Sequence, residues 1–273
     1  MGDLSSQLRP SPVATLSSSK PAKPTPSQLA LCAEAGNALS LHMDIRKIKF
    51  PGSIEVGKLI QVAEAKSNLK CATLELGGKS LLINFPDANR DKALPSATLF
   101  LLVNSKGCAL PTRLYVHEYF ADEFAAKLKT MVEARAQSLG GDPTLAITRS
   151  SPLCHYCQRN VVFSYIDAGN KEAALLIGGK PFSSEDEVVK VANDTEFELA
   201  AYVWTADING ALRLSQKLEA ETISVNEASS FHPSAPMGGW KLKITDRVRD
   251  AGGNPDAPGT VDAVRAGDKS GTP

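Results

Sequence analysis

The stretch Leu74-Glu75-Leu76-Gly77-Gly78-Lys79-Ser80 decides how this 273-residue chain is read. Cys71–Leu76 predicts a strand, the Gly-Gly pair ends it, and Leu81–Phe85 predicts another short strand directly after. Within this stretch Glu75 supplies a carboxylate able to act as a base. Cys108, five residues before Arg113, supplies a thiol able to attack a carbonyl carbon. Base and nucleophile are the two groups that nucleophilic carbonyl chemistry needs.

Outward from this stretch the pattern alternates between strands and helices. Upstream, residues 28–35 predict a helix stopped at Gly36, Ile45–Phe50 a strand, and Glu55–Ala65 a helix entered through Pro51-Gly52-Ser53. Downstream, Asp91–Val103 predicts a buried helix whose start is set by Pro95, Arg113–Val116 a strand, and Tyr119–Leu139 an amphipathic helix. Further elements follow at Val161–Ala168 (helix), Ala173–Ile177 (strand), Ser184–Asn193 (helix with an acidic first turn) and Leu199–Thr205 (strand). Asp207–Leu218 (helix) and Thr222–Asn226 (strand) complete the series. Such alternation with short links predicts an α/β fold. Residues 1–27, rich in Ser, Pro and Lys, and residues 242–273, rich in Gly, Pro, Asp and Ala, are expected to be disordered.

Composition narrows the function classes. Thirty basic residues balance thirty acidic ones, so no overall field attracts nucleic acid or an anionic membrane. No apolar run reaches the ~20 residues of a membrane span, and the N-terminus lacks the apolar core of a secretory signal. A cytoplasmic protein is expected. Five irregularly spaced cysteines do not form a disulfide framework. The myristoylation-like start Met1–Ser6 is too short a pattern to adopt, and Cys154-His155-Tyr156-Cys157 lacks the second ligand pair of a zinc site, so no metal is expected.

Many short blocks, in order, resemble the aldehyde dehydrogenase superfamily from about Leu29 to Lys241. They include His42-Met43-Asp44-Ile45, Phe50-Pro51-Gly52-Ser53 with Glu55-Val56-Gly57, and Lys66-Ser67-Asn68-Leu69-Lys70. Leu74–Ser80, Asp87-Ala88, Arg113 with Tyr115-Val116, Asp122-Glu123-Phe124 and Gly141-Asp142-Pro143 follow. Ala192-Asn193, Val225-Asn226 and Ala235–Lys241 come last. The wording of the first block is most like fungal members.

The resemblance implies an aldehyde dehydrogenase-like α/β fold, with part of a Rossmann-type cofactor domain at 28–76 and an incomplete catalytic domain at 77–241. It implies oxidation of a small-molecule aldehyde to a carboxylic acid with NAD or NADP. In that chemistry Cys108 is the nucleophile that becomes a thioester and Glu75 the base that activates water. Ser53, at the start of a helix, matches a contact to the cofactor pyrophosphate, and Leu76 and Gly77 are further cofactor-binding candidates.

Relative to the family's order, the part that supplies the oxyanion-hole Asn and the adenosine-ribose Lys and Glu has no counterpart here. Loss of one oxyanion donor costs roughly 10²–10³ in rate. The family's Glu-Glu-x-Phe-Gly-Pro block is missing between Lys180 and Val188. Glu75 and Cys108 are 33 positions apart, one fewer than is usual, and one residue is a step of ~3.8 Å. The chain is therefore expected to be impaired or inactive alone, with a homo-oligomer or an intact paralogue as candidate partners; the alternative is a non-catalytic remnant that binds an intact aldehyde dehydrogenase or does nothing specific. Each site residue also has a plain structural reading. Glu75 then ends a strand, Cys108 is an inert thiol, Ser53 caps its helix, and Gly77-Gly78 is a turn.

Overall fold

The computed structural model describes residues 13–15, 26–100, 107–136, 142, 144–145, 156–171, 181–228, 241 and 260–263. These form two compact units, one ending at Gly77 and the other beginning at Gly78. Among the described residues no helix is long and apolar enough to cross a membrane.

The first unit carries a three-stranded parallel sheet, β1 (Val13–Thr15), β2 (Lys47–Gly52) and β3 (Cys71–Leu76), in that spatial order, with helices α1 (Pro26–Leu41) and α2 (Ile54–Lys66). Period-two alternation puts Ile48 and Phe50 of β2 on one face, level with Ala72 and Leu74 of β3. Together with Leu76 and Ile60 they form the buried core. A Cβ on Gly57 of α2 would sit 2.8 Å from the Leu76 side chain, so glycine here lets Leu76 close against the helix. α2 starts where Ser53 accepts a hydrogen bond from the Val56 N–H, at 3.3 Å. It ends at Lys66, where the Ser67 N–H donates to the Glu64 carbonyl; beyond the end Leu69, with a φ of 55°, donates its N–H to the same carbonyl at 3.2 Å. The Asn68 side-chain amide then donates to the Met43 and Ile45 carbonyls, and Lys70 donates to Ser40 and Ser67. Burial lowers the Lys70 pKa, with Glu64 opposing that shift. The block Lys66–Lys70 is thus the stitching between α2 and the chain entering β2.

The second unit is a five-stranded parallel sheet in the order β5-β4-β6-β7-β8. Its strands are β4 (Ser80–Asn84), β5 (Pro111–Val116), β6 (Ala200–Trp204), β7 (Thr222–Val225) and β8 (Thr260–Ala263). α6 (Glu185–Asn193) and α7 (Ile208–Lys217) cover one face, where Leu81, Ile83, Val203 and Ile223 pack on Val188, Ala192 and Leu214. α3 (Arg90–Ala97) and α4 (Ala121–Ala136) contribute Ala97 and Phe124 to a second cluster, with Phe120, Leu114 and Val116. β4, β6 and β7 are buried at every position, as a parallel sheet covered on both faces requires. Side-chain caps start three of the helices: Asn89 for α3, Ser184 for α6 and Asp207 for α7. A further helix, α5 (Tyr156–Lys171), is largely exposed.

Several expectations are corrected. α1 does not stop at Gly36 but runs to Leu41, and the Ser40 hydroxyl donates to the Gly36 carbonyl at 2.7 Å. α3 starts at the Asn89 cap rather than at Pro95, and ends at Ala97, where Thr98 turns back on the Pro95 carbonyl. The end segments expected to be disordered contain β1 and β8, two short runs with β-branched residues that add to parallel edges by backbone pairing. The strand expected at 173–177, and Cys154 and His155, lie outside the described residues.

Candidate active site

Each unit presents part of the predicted constellation. In the first, Pro51 pairs with Glu75 and Gly52 with Leu76, so Ser53, Glu75, Leu76 and Gly77 gather at the C-terminal edge of the parallel sheet. Open α/β sheets bind ligands outside that edge. Glu75 is half-buried and points to the face opposite Leu74 and Leu76, away from the core cluster. The Leu76 side chain is spent on the core, which leaves only its backbone for a ligand. Gly77 has open space where a Cβ would stand.

The β2–α2 turn fits the pyrophosphate part of a dinucleotide. It places the N-terminus of a 13-residue helix at the sheet edge, with the Ser53 hydroxyl on the Val56 N–H and the Glu55 carboxylate on its own N–H. Glu55 in that first turn keeps its carboxyl below the usual range, chiefly through its own backbone N–H and then through Ser53. Ser53→Ala should cost the first unit about 1 kcal/mol through the lost cap. The loss is read by thermal melts. A melt indistinguishable from wild type would remove the capping role.

In the second unit, Cys108 occupies the second position of a turn closed by the Leu110 N–H on the Gly107 carbonyl at 3.3 Å. It is half-buried, and its thiol is free. The Ser80 hydroxyl donates to the Cys108 carbonyl at 3.3 Å, and the Tyr202 hydroxyl to the Ala109 carbonyl at 2.7 Å. Immediately after, the ladder shifts register: Ser80 faces Pro111 but Leu81 faces Arg113. Thr112 is the extra residue of a bulge, a device that re-aims a strand entry. Arg113 donates to the carbonyls of Lys79 (2.8 Å) and Ala192 (3.0 Å) and to the Tyr115 hydroxyl (3.0 Å). It locks β5 to the start of β4 and to the end of α6.

Other resemblance-bearing residues also hold the frame. Asp87 accepts from the Thr205 hydroxyl and from the N–H groups of Ala206 and Asp207. Asn193 bridges to Lys217 and Glu219, and Lys241 donates to the Asn193 and Thr195 carbonyls. Asn226 exchanges two hydrogen bonds with the Thr205 backbone. Tyr202 carried no signal in the sequence, since a tyrosine in a strand is ordinary core composition.

A cleft of about 360 Å³ in the second unit is lined by Asp87, Glu185, Thr205, Asp207 and Arg213, and not by Cys108. Its three carboxylates outnumber its one cation: Arg213 binds Glu185 at 3.0 Å and Asp207 at 3.7 Å, while Asp87 is held by the Thr205 hydroxyl and backbone N–H groups. Arg213, with a smaller part from Lys217, holds the Glu185 carboxyl below its usual range. A depressed folded-state value stabilises above the unfolded pKa, near 4.5, and the gain is lost as pH falls through the folded value. Glu185→Gln should therefore lower the melting temperature at neutral pH and flatten its fall below that range. An unchanged acid limb would refute this. Among the described residues no group of three or more His, Cys, Asp or Glu side chains stands together as metal ligands.

A model of the aldehyde dehydrogenase family matches residues 30–181 and 180–253. Aldehyde dehydrogenase 1A1 of Gallus gallus is 37% identical over 251 residues, covering 78% of this chain and 49% of that protein. A mitochondrial family 2 member B4 of Arabidopsis thaliana is 36% identical over 255 residues, 80% of this chain and 47% of its own. Among solved structures, a gamma-glutamyl-gamma-aminobutyraldehyde dehydrogenase from Burkholderia cenocepacia superposes with a TM-score of 0.70 at 32% identity. It covers 79% of this chain and 51% of that one. An indole-3-acetaldehyde dehydrogenase complexed with NAD⁺ gives 0.70 at 27% identity, with 81% and 56% covered. The chain spans about half the length of the curated relatives it matches. Across that span, the chain belongs to the aldehyde dehydrogenase family.

Proposed function

We propose that this chain takes part in oxidising a small-molecule aldehyde to a carboxylic acid with NAD⁺ or NADP⁺. Residues 28–76 belong to the cofactor-binding part and 77–241 to the catalytic part. Cys108 is the nucleophile: its sulfur forms a bond to the carbonyl carbon, and the carbonyl electron pair moves to oxygen. Bound NAD(P)⁺ supplies the hydride acceptor. Glu75 is the base: it takes a proton from water, whose oxygen adds to the thioester carbon while the C–S bond breaks and the thiolate leaves. Ser53 and the N-terminus of α2 hold the pyrophosphate.

The observation that carries this reading is the presentation of a free, half-buried thiol at a turn whose two central carbonyls are held by the Ser80 and Tyr202 hydroxyls and whose following Arg113 is anchored on the Lys79 and Ala192 carbonyls. Purified protein given an aldehyde and NAD⁺ should form NADH. Traces equal to those of a Cys108→Ala variant would overturn it.

A second reading, a non-catalytic protein that binds an intact member of the family, is favoured by α5, whose Tyr156, Val161, Phe163 and Tyr165 are exposed. Co-elution with an intact aldehyde dehydrogenase in gel filtration, without NADH formation by the chain itself, would select it. In either reading the protein is placed in the cytoplasm.

A further inference from the structure

We infer that Tyr202 and Ser80 are positioning residues for Cys108, acting through the two peptide carbonyls of its turn; the inference rests on Cys108 being the nucleophile. A turn closed between its first carbonyl and its fourth N–H leaves the two central carbonyls without a partner inside the turn. In this turn the closing bond joins Gly107 and Leu110, so the central carbonyls are those of Cys108 and Ala109. Both are taken by side chains from other strands: Ser80 at 3.3 Å and Tyr202 at 2.7 Å.

The two donors stand on rigid ground. Ser80 opens β4 and is 3% exposed; Tyr202 is the third residue of β6 and 1% exposed. Because β4 lies between β5 and β6, the turn leading into β5 is gripped by its neighbour and by the strand beyond. Holding both carbonyls fixes the ψ of Cys108 and the backbone of Ala109, so the direction of the Cys108 Cα–Cβ bond is set and only χ1 is left to the thiol. Nucleophilic chemistry is sensitive to this: a misplacement of ~1 Å can cost about 10²-fold in rate. The buried Tyr202 hydroxyl spans 93 residues of sequence to reach the turn. Phenylalanine in its place would keep the ring and remove the hydroxyl that makes this bond.

The test compares Tyr202→Phe, Ser80→Ala and Ser80→Thr with the full wild-type chain. Iodoacetamide labelling of each cysteine is followed by mass spectrometry, and NADH formation is measured in parallel. Tyr202→Phe should raise the Cys108 alkylation rate about three- to tenfold as the turn loosens, and leave Cys71, on the other unit, unchanged. It should lower kcat about tenfold with KM for the aldehyde within about twofold. Ser80→Ala should shift both in the same directions, and Ser80→Thr, which keeps the hydroxyl, should return them to wild type.

Cys108 labelling unchanged in both deletion variants would overturn the inference, and so would Cys108 and Cys71 speeding up together, the mark of general loosening. Should Tyr202→Phe fail to fold, the Ser80→Ala and Ser80→Thr pair decides alone. Failure of the enzymatic reading is separate: wild type would then form no NADH, while the selective change in Cys108 labelling would persist.

Discussion

On the mechanism proposed above, replacing Cys108 with alanine should abolish aldehyde-dependent NADH formation, leaving the level of a protein-free control. The covalent step needs a sulfur nucleophile, and Cys71 is badly placed to replace it. Cys71 opens β3 in the first unit, four residues and about 13 Å along the strand from Glu75, at the end of the sheet away from Ser53 and Gly77. The substitution leaves the Gly107, Cys108 and Ala109 carbonyls and their three donors in place, so the turn and the melting temperature should be preserved. Loss of activity with an unchanged melt assigns the loss to chemistry. Retained activity in the alanine variant would remove Cys108 from the mechanism.

Asp87→Ala should destabilise the second unit by about 2–3 kcal/mol, a fall of roughly 5–10 °C in melting temperature for a unit of this size. Its carboxylate accepts from the Thr205 hydroxyl at 2.9 and 3.0 Å, from the Ala206 N–H at 2.9 Å and from the Asp207 N–H at 3.0 Å. Asp207 in turn caps α7 through the Asn209 N–H. Thr205 is further held by Asn226, which follows β7 with a φ of 58°. One carboxylate therefore organises the ends of β4, β6 and β7 and the start of a helix. The part-buried Thr205 hydroxyl carries the larger share of the cost, since water can replace the exposed backbone donors. Asp87→Asn, which keeps one acceptor oxygen, should lose about half as much. A denaturant midpoint within error of wild type for the alanine variant would refute the node.

Much of this architecture was legible locally. Cys71–Leu76 is a strand with the expected bounds because its alternation and the following Gly-Gly pair agree. Ser53, Ser184 and Asp207 start their helices because short polar side chains satisfy first-turn N–H groups wherever they precede a helical pattern. Gly36 misled because a glycine signals a helix end only if the backbone turns left-handed there; α1 continues through it. Pro95 misled because Asn89, six residues earlier, already supplies the cap.

At the candidate site the residue types were readable, and their supports were not. Nothing in Ala200–Trp204 marks Tyr202 as a donor to a carbonyl 93 residues away, and nothing around Pro111 marks Thr112 as a bulge. Those depend on strand order, which periodicity does not encode. The family blocks were legible as blocks, yet the work of Asp87, Asn193 and Asn226 proves to be hydrogen bonding within the frame.

The order β5-β4-β6 has a kinetic consequence. β4 is an inner strand, second from the edge of its sheet, but one of its two neighbours is made far later: Asp87, just past β4, and Thr205, just past β6, are 118 residues apart. During synthesis at about 5–20 residues per second, β4 waits some 6–24 seconds with one edge open. Non-local parallel pairing is slow to form and exposed to aggregation while it is awaited. Yield of this protein in a cell should thus depend on chaperone supply and growth temperature more than its equilibrium stability alone would suggest.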